Sequence, residues 1–410
     1  MWGGERPFGI TREDRRHHMY VLGKTGSGKT TLLRNLILED ILDGKGVGVI
    51  DPHGDLAWEL LNHIPRRRSD DVLYFDPSDS EFPIGLNVFF NVAREKRHLM
   101  ASGLVSSFKS IWRDSWGPRM EYILYASAAA LLDCENTSLL GMQKMLVDER
   151  YRAWVVKQVS DPIVRAFWIQ EFGRYDQKFL REAVAPIQNK VGQFLMAAPV
   201  RNILGQIRNK IDAQYIMDRG GIFIANLSKG KLGEDKANLL GSILVTQFQL
   251  AAMSRANVPE SERKDFMMFI DEVQNYTTDS FIGILSEARK YRLCLTLSHQ
   301  YSAQLPPEKQ QAIFGNVGTI VSFRVGYNDA EILEREFSHA FHAGEFIDLN
   351  KYEALVKLAS DGRSTFLRGK MLPPISNWQG GRNNLLRLSR EKFGTPRTVV
   401  ENRIERWMRN

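Results

Sequence analysis

The sequence predicts an α/β fold, a mostly parallel sheet interrupted by an all-α insertion, and three observations carry that prediction. Apolar runs ending in polar residues, as buried parallel strands do, occupy two separate stretches of the chain. A phosphate-cradle pattern sits directly after the first of these runs and directly before a helical run. Between the two stretches the periodicity becomes helical. The expected organisation is therefore residues 1–90 as the first part of a core, 91–205 as the insertion and 206–410 as the second part.

The first strand, His18-Met19-Tyr20-Val21-Leu22, leads into Gly23-Lys24-Thr25-Gly26-Ser27-Gly28-Lys29-Thr30 and then into the helical run beginning at Thr31. Gly23 followed by Gly28-Lys29-Thr30 has the spacing of a P-loop. Glycines let backbone N–H groups turn inward around phosphate oxygens, and the helix N-terminus adds partial positive charge. Residues 23–31 thus form the expected ATP site. Lys29 reaches the β- and γ-phosphates, and the Thr30 hydroxyl ligates Mg²⁺.

The next run, Gly46-Val47-Gly48-Val49-Ile50, ends in Asp51-Pro52-His53-Gly54-Asp55, a strand-end crest of the kind where ligands sit. Val72-Leu73-Tyr74-Phe75 follows. From about Asn91 to Gly205, Trp112, Trp116, Tyr122, Trp154, Phe167, Trp168 and Phe172 are spread through a helical pattern. Strands then return at Gly221–Asn226, Phe266–Ile270, Leu293–Leu297 and Thr319–Phe323.

Phe266-Met267-Met268-Phe269-Ile270 ends in Asp271-Glu272, the Walker B arrangement. Asp271 is expected to hold Mg²⁺ through its water shell, and Glu272 to polarise an attacking water. A helix over Ile282–Tyr291 is followed by the strand Leu293–Leu297 and by Ser298-His299-Gln300. At that strand tip Gln300 can orient water or sense the nucleotide. Arg289 lies near the end of the helix, where an arginine ordinarily complements the dipole.

Composition sets the outer limits. The chain has 410 residues, 43% hydrophobic and 25% charged, and is long enough for a large core with an insertion. A net charge of +7 and a pI near 9.2 favour a polyanionic partner. Cys134 and Cys294 lie far apart in apolar runs, which argues against a disulfide framework or thiolate metal site and for a reducing cytosol. Met1–Pro7 lacks the apolar stretch of a signal peptide. The longest apolar stretch, Tyr122–Leu132, is too short to span a bilayer. The expected location is cytoplasmic, with any membrane association made through a partner.

The P-loop, Asp51–Asp55, Asn226-Leu227-Ser228-Lys229-Gly230, Asp271-Glu272, and Glu287-Ala288-Arg289 with Gln300 occur in an order that resembles the HerA/FtsK superfamily of ring-forming DNA motors. Within it, the chain is most similar to the cytoplasmic part of type IV secretion coupling proteins of the TraG/TraD kind. The insertion resembles their all-α domain, and Asp361-Gly362-Arg363-Ser364-Thr365-Phe366 leading to Leu372-Pro373-Pro374 resembles their closing segment. The resemblance implies a RecA-like P-loop NTPase core, ATP with Mg²⁺, a homohexamer and DNA in a central channel. It makes Arg289 a finger acting on the neighbour's γ-phosphate and Gln300 the sensor. A secretion-system protein, relaxase or nuclease is the implied partner class. Coupling proteins begin with membrane-spanning helices, whereas this sequence begins close to its P-loop.

Contacts to DNA are the least specified part. Lys229 and Lys231 suit a mobile loop that grips phosphates, or else a solvated turn. Arg66-Arg67-Arg68 reads as solvated surface in preference to a phosphate patch, the tryptophans and tyrosines of the insertion as core in preference to platforms for stacking single-stranded bases, and His17 and His18 as surface residues before a strand. Three other functions stay open: a HerA-like translocase with a nuclease partner, a protein-moving secretion ATPase, and a nucleotide-gated DNA-binding module.

Overall fold

In the computed structural model, which describes residues 8–279, 281–360, 363–376 and 378–409, nine strands among the described residues form one sheet. They are β1 Met19–Leu22, β2 Gly46–Asp51, β3 Val72–Phe75, β4 Ile222–Asn226, β5 Phe266–Ile270, β6 Leu293–His299, β7 Thr319–Ser322, β8 Glu353–Ser360 and β9 Arg363–Lys370. Their spatial order is β3-β4-β2-β5-β6-β1-β7-β8-β9. The first seven in that order run parallel, and β8 and β9 extend the sheet antiparallel beyond β7.

Every residue of β1, β2, β4, β5 and β6 is buried, because helices cover both faces. Alternation along β1 sends Tyr20 and Leu22 into one apolar cluster and Met19 and Val21 into the other. Phe266, Leu293 and the inserted helices share the first cluster. The helix Lys29–Leu42, through Leu33, Ile37 and Ile41, belongs to the second.

The expected helical segment is present between β3 and β4. Its long members are Arg97–Ile111, Pro118–Leu132 and Gln177–Met196, the last capped by Asp176, whose carboxylate accepts from the backbone N–H of Lys178 and Phe179. Trp112 stacks on Phe108, and Trp168 packs against Phe172 and donates from Nε1 to the Ala126 carbonyl, so these two pack in or against the core, whereas Trp154, also expected there, is 45% exposed. The segment is not isolated from the sheet. Helix Arg97–Ile111 touches helix Glu234–Ser254 so closely that a Cβ at Gly103 would lie 2.4 Å from Thr246.

Several boundaries differ from expectation. β6 continues through Ser298 and His299, so Gln300 stands immediately past the strand end. The helix before it breaks: Phe281–Glu287 is α-helical, Ala288–Tyr291 is a 3₁₀ turn, and Arg292 turns the chain with φ of 59°. Arg363–Phe366 of the closing segment form part of β9, whereas Asp361 and Gly362 lie outside the described residues, as does Met1–Pro7. Leu372 and Pro373 follow β9 across the helix Lys29–Leu42, where their carbonyls accept from Asn35 Nδ2 at 3.3 and 3.0 Å. Among the described residues, no helix is long and apolar enough to cross a membrane.

Candidate nucleotide site

In a parallel sheet the C-terminal strand ends share one crest. β1 delivers the P-loop there, β5 Asp271 and Glu272, β6 Gln300 and β2 Asp51. The P-loop is anchored at its base: Gly23 N–H donates to the His299 carbonyl at 3.3 Å and Lys24 N–H to that of Arg324 at 2.8 Å. Gly26 and Gly28 have φ of 77° and 126°, which side-chain-bearing residues rarely adopt. A Cβ on Gly23 would lie 2.6 Å from Phe323. The loop is thus a backbone-lined cradle that side chains would spoil.

Lys29, the first residue of its helix, is buried and donates from Nζ to the carbonyls of Gly23 and Lys24. Burial lowers its pKa, and the charges of Glu272 and Asp271 act in the opposite direction. Thr30 and Thr25 are exposed, and Thr31 is half-buried. Thr30 thus lies accessible in the first turn of the helix, whose N-terminus favours an anion.

Asp271 is 9% exposed and Glu272 5%. Asp271 accepts from the Ser298 hydroxyl and from the Glu272 N–H. Burial pushes its carboxyl up to about 6, helped by the charges of Asp51 and Glu272 and opposed by the Ser298 bond and Lys29. Glu272 is left-handed, with φ of 48° and ψ of 57°. Gln300 Nε2 donates to its Oε1 at 2.9 Å and Gln274 Nε2 to its Oε2 at 2.8 Å. The Thr25 hydroxyl donates to Gln300 Oε1 at 3.3 Å, so the P-loop, Gln300 and Glu272 form one hydrogen-bonded row.

Asp51 has a different task. Its two carboxylate oxygens accept from His53 N–H and Ala57 N–H, both at 2.9 Å, and so fasten the start of the helix Asp55–Leu60. His53 is exposed and offers no cluster with other ligands. Among the described residues no group of three or more His, Cys, Asp or Glu side chains could hold a metal ion. A Mg²⁺ ion here would draw on phosphate oxygens and water as well as Thr30 and Asp271, as its reluctance to shed water favours.

Arg289 is not brought to this row. It is exposed in the turn before β6, its Nη1 is 3.2 Å from His17 Nδ1, and the seven residues of β6 separate it from Gln300. At about 3.3 Å per residue that is roughly 20 Å, beyond an arginine's reach to its own P-loop.

Several residues have roles that local sequence did not reveal. His18, expected at the surface, is 1% exposed: it accepts at Nδ1 from Leu295 N–H, and its Nε2 lies 3.1 Å from the Leu285 carbonyl. Burial lowers its pKa to about 4. Arg68 is buried, pairs with Asp71 and donates to the carbonyls of Ile41, Lys45 and Gly220, so it is a structural clamp. Tyr276 is fully buried against Gly241 near the carboxylates of Asp51, Asp271 and Glu272. Lys229 is tied to Glu234 and Asn275 at 2.7 and 2.8 Å, so its side chain does not sway freely.

Residues 8–102 match the family model "Helicase HerA, central domain". Among solved structures, the unbound bacterial conjugative coupling protein TrwBΔN70 is similar at 15% identity and TM-score 0.65, over 91% of this chain and 88% of that one. The plasmid coupling protein TrwB in complex with ADP and Mg²⁺ is similar at 14% identity and TM-score 0.63, over 92% of both chains. VirB4 of Thermoanaerobacter pseudethanolicus is similar at 14% identity and TM-score 0.56, over 87% of this chain and 89% of that one. No curated protein matches the chain by sequence. The fold is that of the TrwB P-loop NTPases, and the matches agree with the resemblance to the HerA/FtsK group and coupling proteins.

Proposed function

We propose that this chain is an ATP-hydrolysing motor that assembles as a homohexamer and moves DNA through the ring, like a coupling protein in conjugative transfer or type IV secretion. The row Thr25-Gln300-Glu272 is the observation that carries the reading, because it joins a phosphate cradle to a buried acid. The likeness to TrwB solved with ADP and Mg²⁺ supports the choice of ligands. The basic net charge suits a nucleic-acid cargo.

Bound MgATP would supply the γ-phosphoryl group and the cation that neutralises charge on it. Residues 23–31 bind the phosphates, with Lys29 turning from the carbonyls of Gly23 and Lys24 toward them. Thr30 and Asp271 hold the cation, Ser298 steadies Asp271, and Glu272 orients and deprotonates water. Gln300 reports the phosphate to Glu272. Arg289, too far from its own P-loop, completes the neighbouring one, which makes the site a subunit interface.

Residues 91–205 are assigned as an inserted domain, and the motor as cytoplasmic, reaching any membrane through a secretion-system or relaxase partner. The match of residues 8–102 favours a second reading, a HerA-like translocase in DNA processing or defence with a nuclease partner. Triplex displacement tests the motor itself. ATP-dependent release of the third strand is expected, and ATP hydrolysis without release would contradict translocation.

A further inference from the structure

We propose that Asn275 and Lys229 are positioning residues for Glu272, linking the loop after β4 to the acid. The inference rests on Glu272 being the acid that orients water.

The backbone of Glu272 is left-handed, a state that a non-glycine residue seldom adopts and that persists only when its surroundings hold it. Asn275 does the holding. The Glu272 carbonyl accepts from Asn275 N–H at 3.1 Å and from Asn275 Nδ2 at 2.9 Å. The remaining polar atom of that amide, Oδ1, accepts from Lys229 Nζ at 2.8 Å, which fixes the orientation of the amide with Nδ2 toward Glu272.

Lys229 is itself placed by backbone contacts. Leu227 N–H donates to the Asp51 carbonyl at 2.8 Å and Lys229 N–H to that of Pro52 at 2.9 Å, so the loop is stitched to the end of β2. From there the side chain turns toward the Walker B segment instead of outward. Its second partner, Glu234, lies 2.7 Å away and is largely exposed. The ammonium thus stands between a solvent-facing carboxylate and an amide that grips the acid's backbone. A phosphodiester backbone competing with Glu234 would act directly on this junction.

Steady-state ATPase of the full chain, without DNA and with a single-stranded oligonucleotide, tests the link. Lys229→Ala and Asn275→Ala should each lower kcat without DNA about tenfold while leaving KM for ATP within about twofold. The double variant should fall little further, and Lys229→Arg should recover most of the loss. The inference is overturned if Lys229→Ala keeps the wild-type kcat without DNA and loses only oligonucleotide binding, as a phosphate-gripping residue would. It is equally overturned if the two losses multiply in the double variant. Lys229→Ala, at a half-buried position, keeps the test available should Asn275→Ala not fold. A wild-type chain without turnover would overturn the ATPase reading and this inference together, whereas normal turnover in Lys229→Ala overturns the inference alone.

Discussion

Gln300 donates from Nε2 to Glu272 Oε1 at 2.9 Å while its own Oε1 accepts from the Thr25 hydroxyl at 3.3 Å. Since Gln274 donates to the other carboxylate oxygen, both oxygens of Glu272 are engaged. Glu272→Gln removes the proposed base but leaves the cradle intact. It should abolish turnover by at least about a hundredfold and retain nucleotide binding. Lys29→Ala should lose both, and full ATPase activity in either variant would contradict the assignment.

Burial disfavours the ionised form of Asp271, so its charge opposes folding at neutral pH. Its folded pKa of about 6 exceeds the ordinary 3.8, so the folded state binds the extra proton between those values. Stability from this group is then lost as pH rises through that window. Asp271→Asn should be inactive yet melt higher than wild type above pH 6, by up to about 3 kcal/mol in stability at about 1.4 kcal/mol per pH unit. The gap should close below about pH 4. A gap independent of pH, measured by thermal denaturation, would contradict this account of the site.

Arg289 pairs with His17 beyond the N-terminal ends of β1 and β6, at the opposite end of these strands from its own P-loop. If it acts on the next subunit, Arg289→Ala rings should be inactive while Glu272→Gln rings are inactive for a different reason. Mixed rings then contain interfaces with an intact acid and an intact arginine. Recovered ATPase on mixing is expected, and none in a confirmed mixed ring would contradict action in trans.

Tyr276 fits only because residue 241 is glycine: a Cβ there would lie 2.1 Å from the ring. Gly241→Ala must push the ring and with it the segment after Glu272. A destabilisation of about 1–3 kcal/mol is expected, with kcat reduced more than nucleotide affinity. Wild-type melting and turnover in this variant would show that the packing does not hold the segment.

The parts of this site legible in sequence are those written in consecutive residues. Gly23–Thr30 and Asp271-Glu272 each announce themselves within eight residues, because a backbone turn and a strand end are local objects. What escaped notice depends on which strands become neighbours. His18 reads as surface until β1 pairs with β6 and presents Leu295 N–H to its ring. Ser298 becomes a partner of Asp271 only through the β5–β6 pairing, and Gly241 is unremarkable in a helix until Tyr276 is laid over it. Local sequence leaves Lys229 between a phosphate-gripping loop and a solvated turn. Its partner, Asn275, lies 46 residues away and is brought near by the adjacent ends of β4, β2 and β5.

The most direct test of the central claim is ATPase activity with and without single- and double-stranded DNA, on a sample whose mass is measured in solution. The account predicts Mg²⁺-dependent hydrolysis stimulated by DNA in a hexamer, and no hydrolysis with or without DNA in Arg289→Ala. Hydrolysis by a monomer that is indifferent to DNA would contradict it.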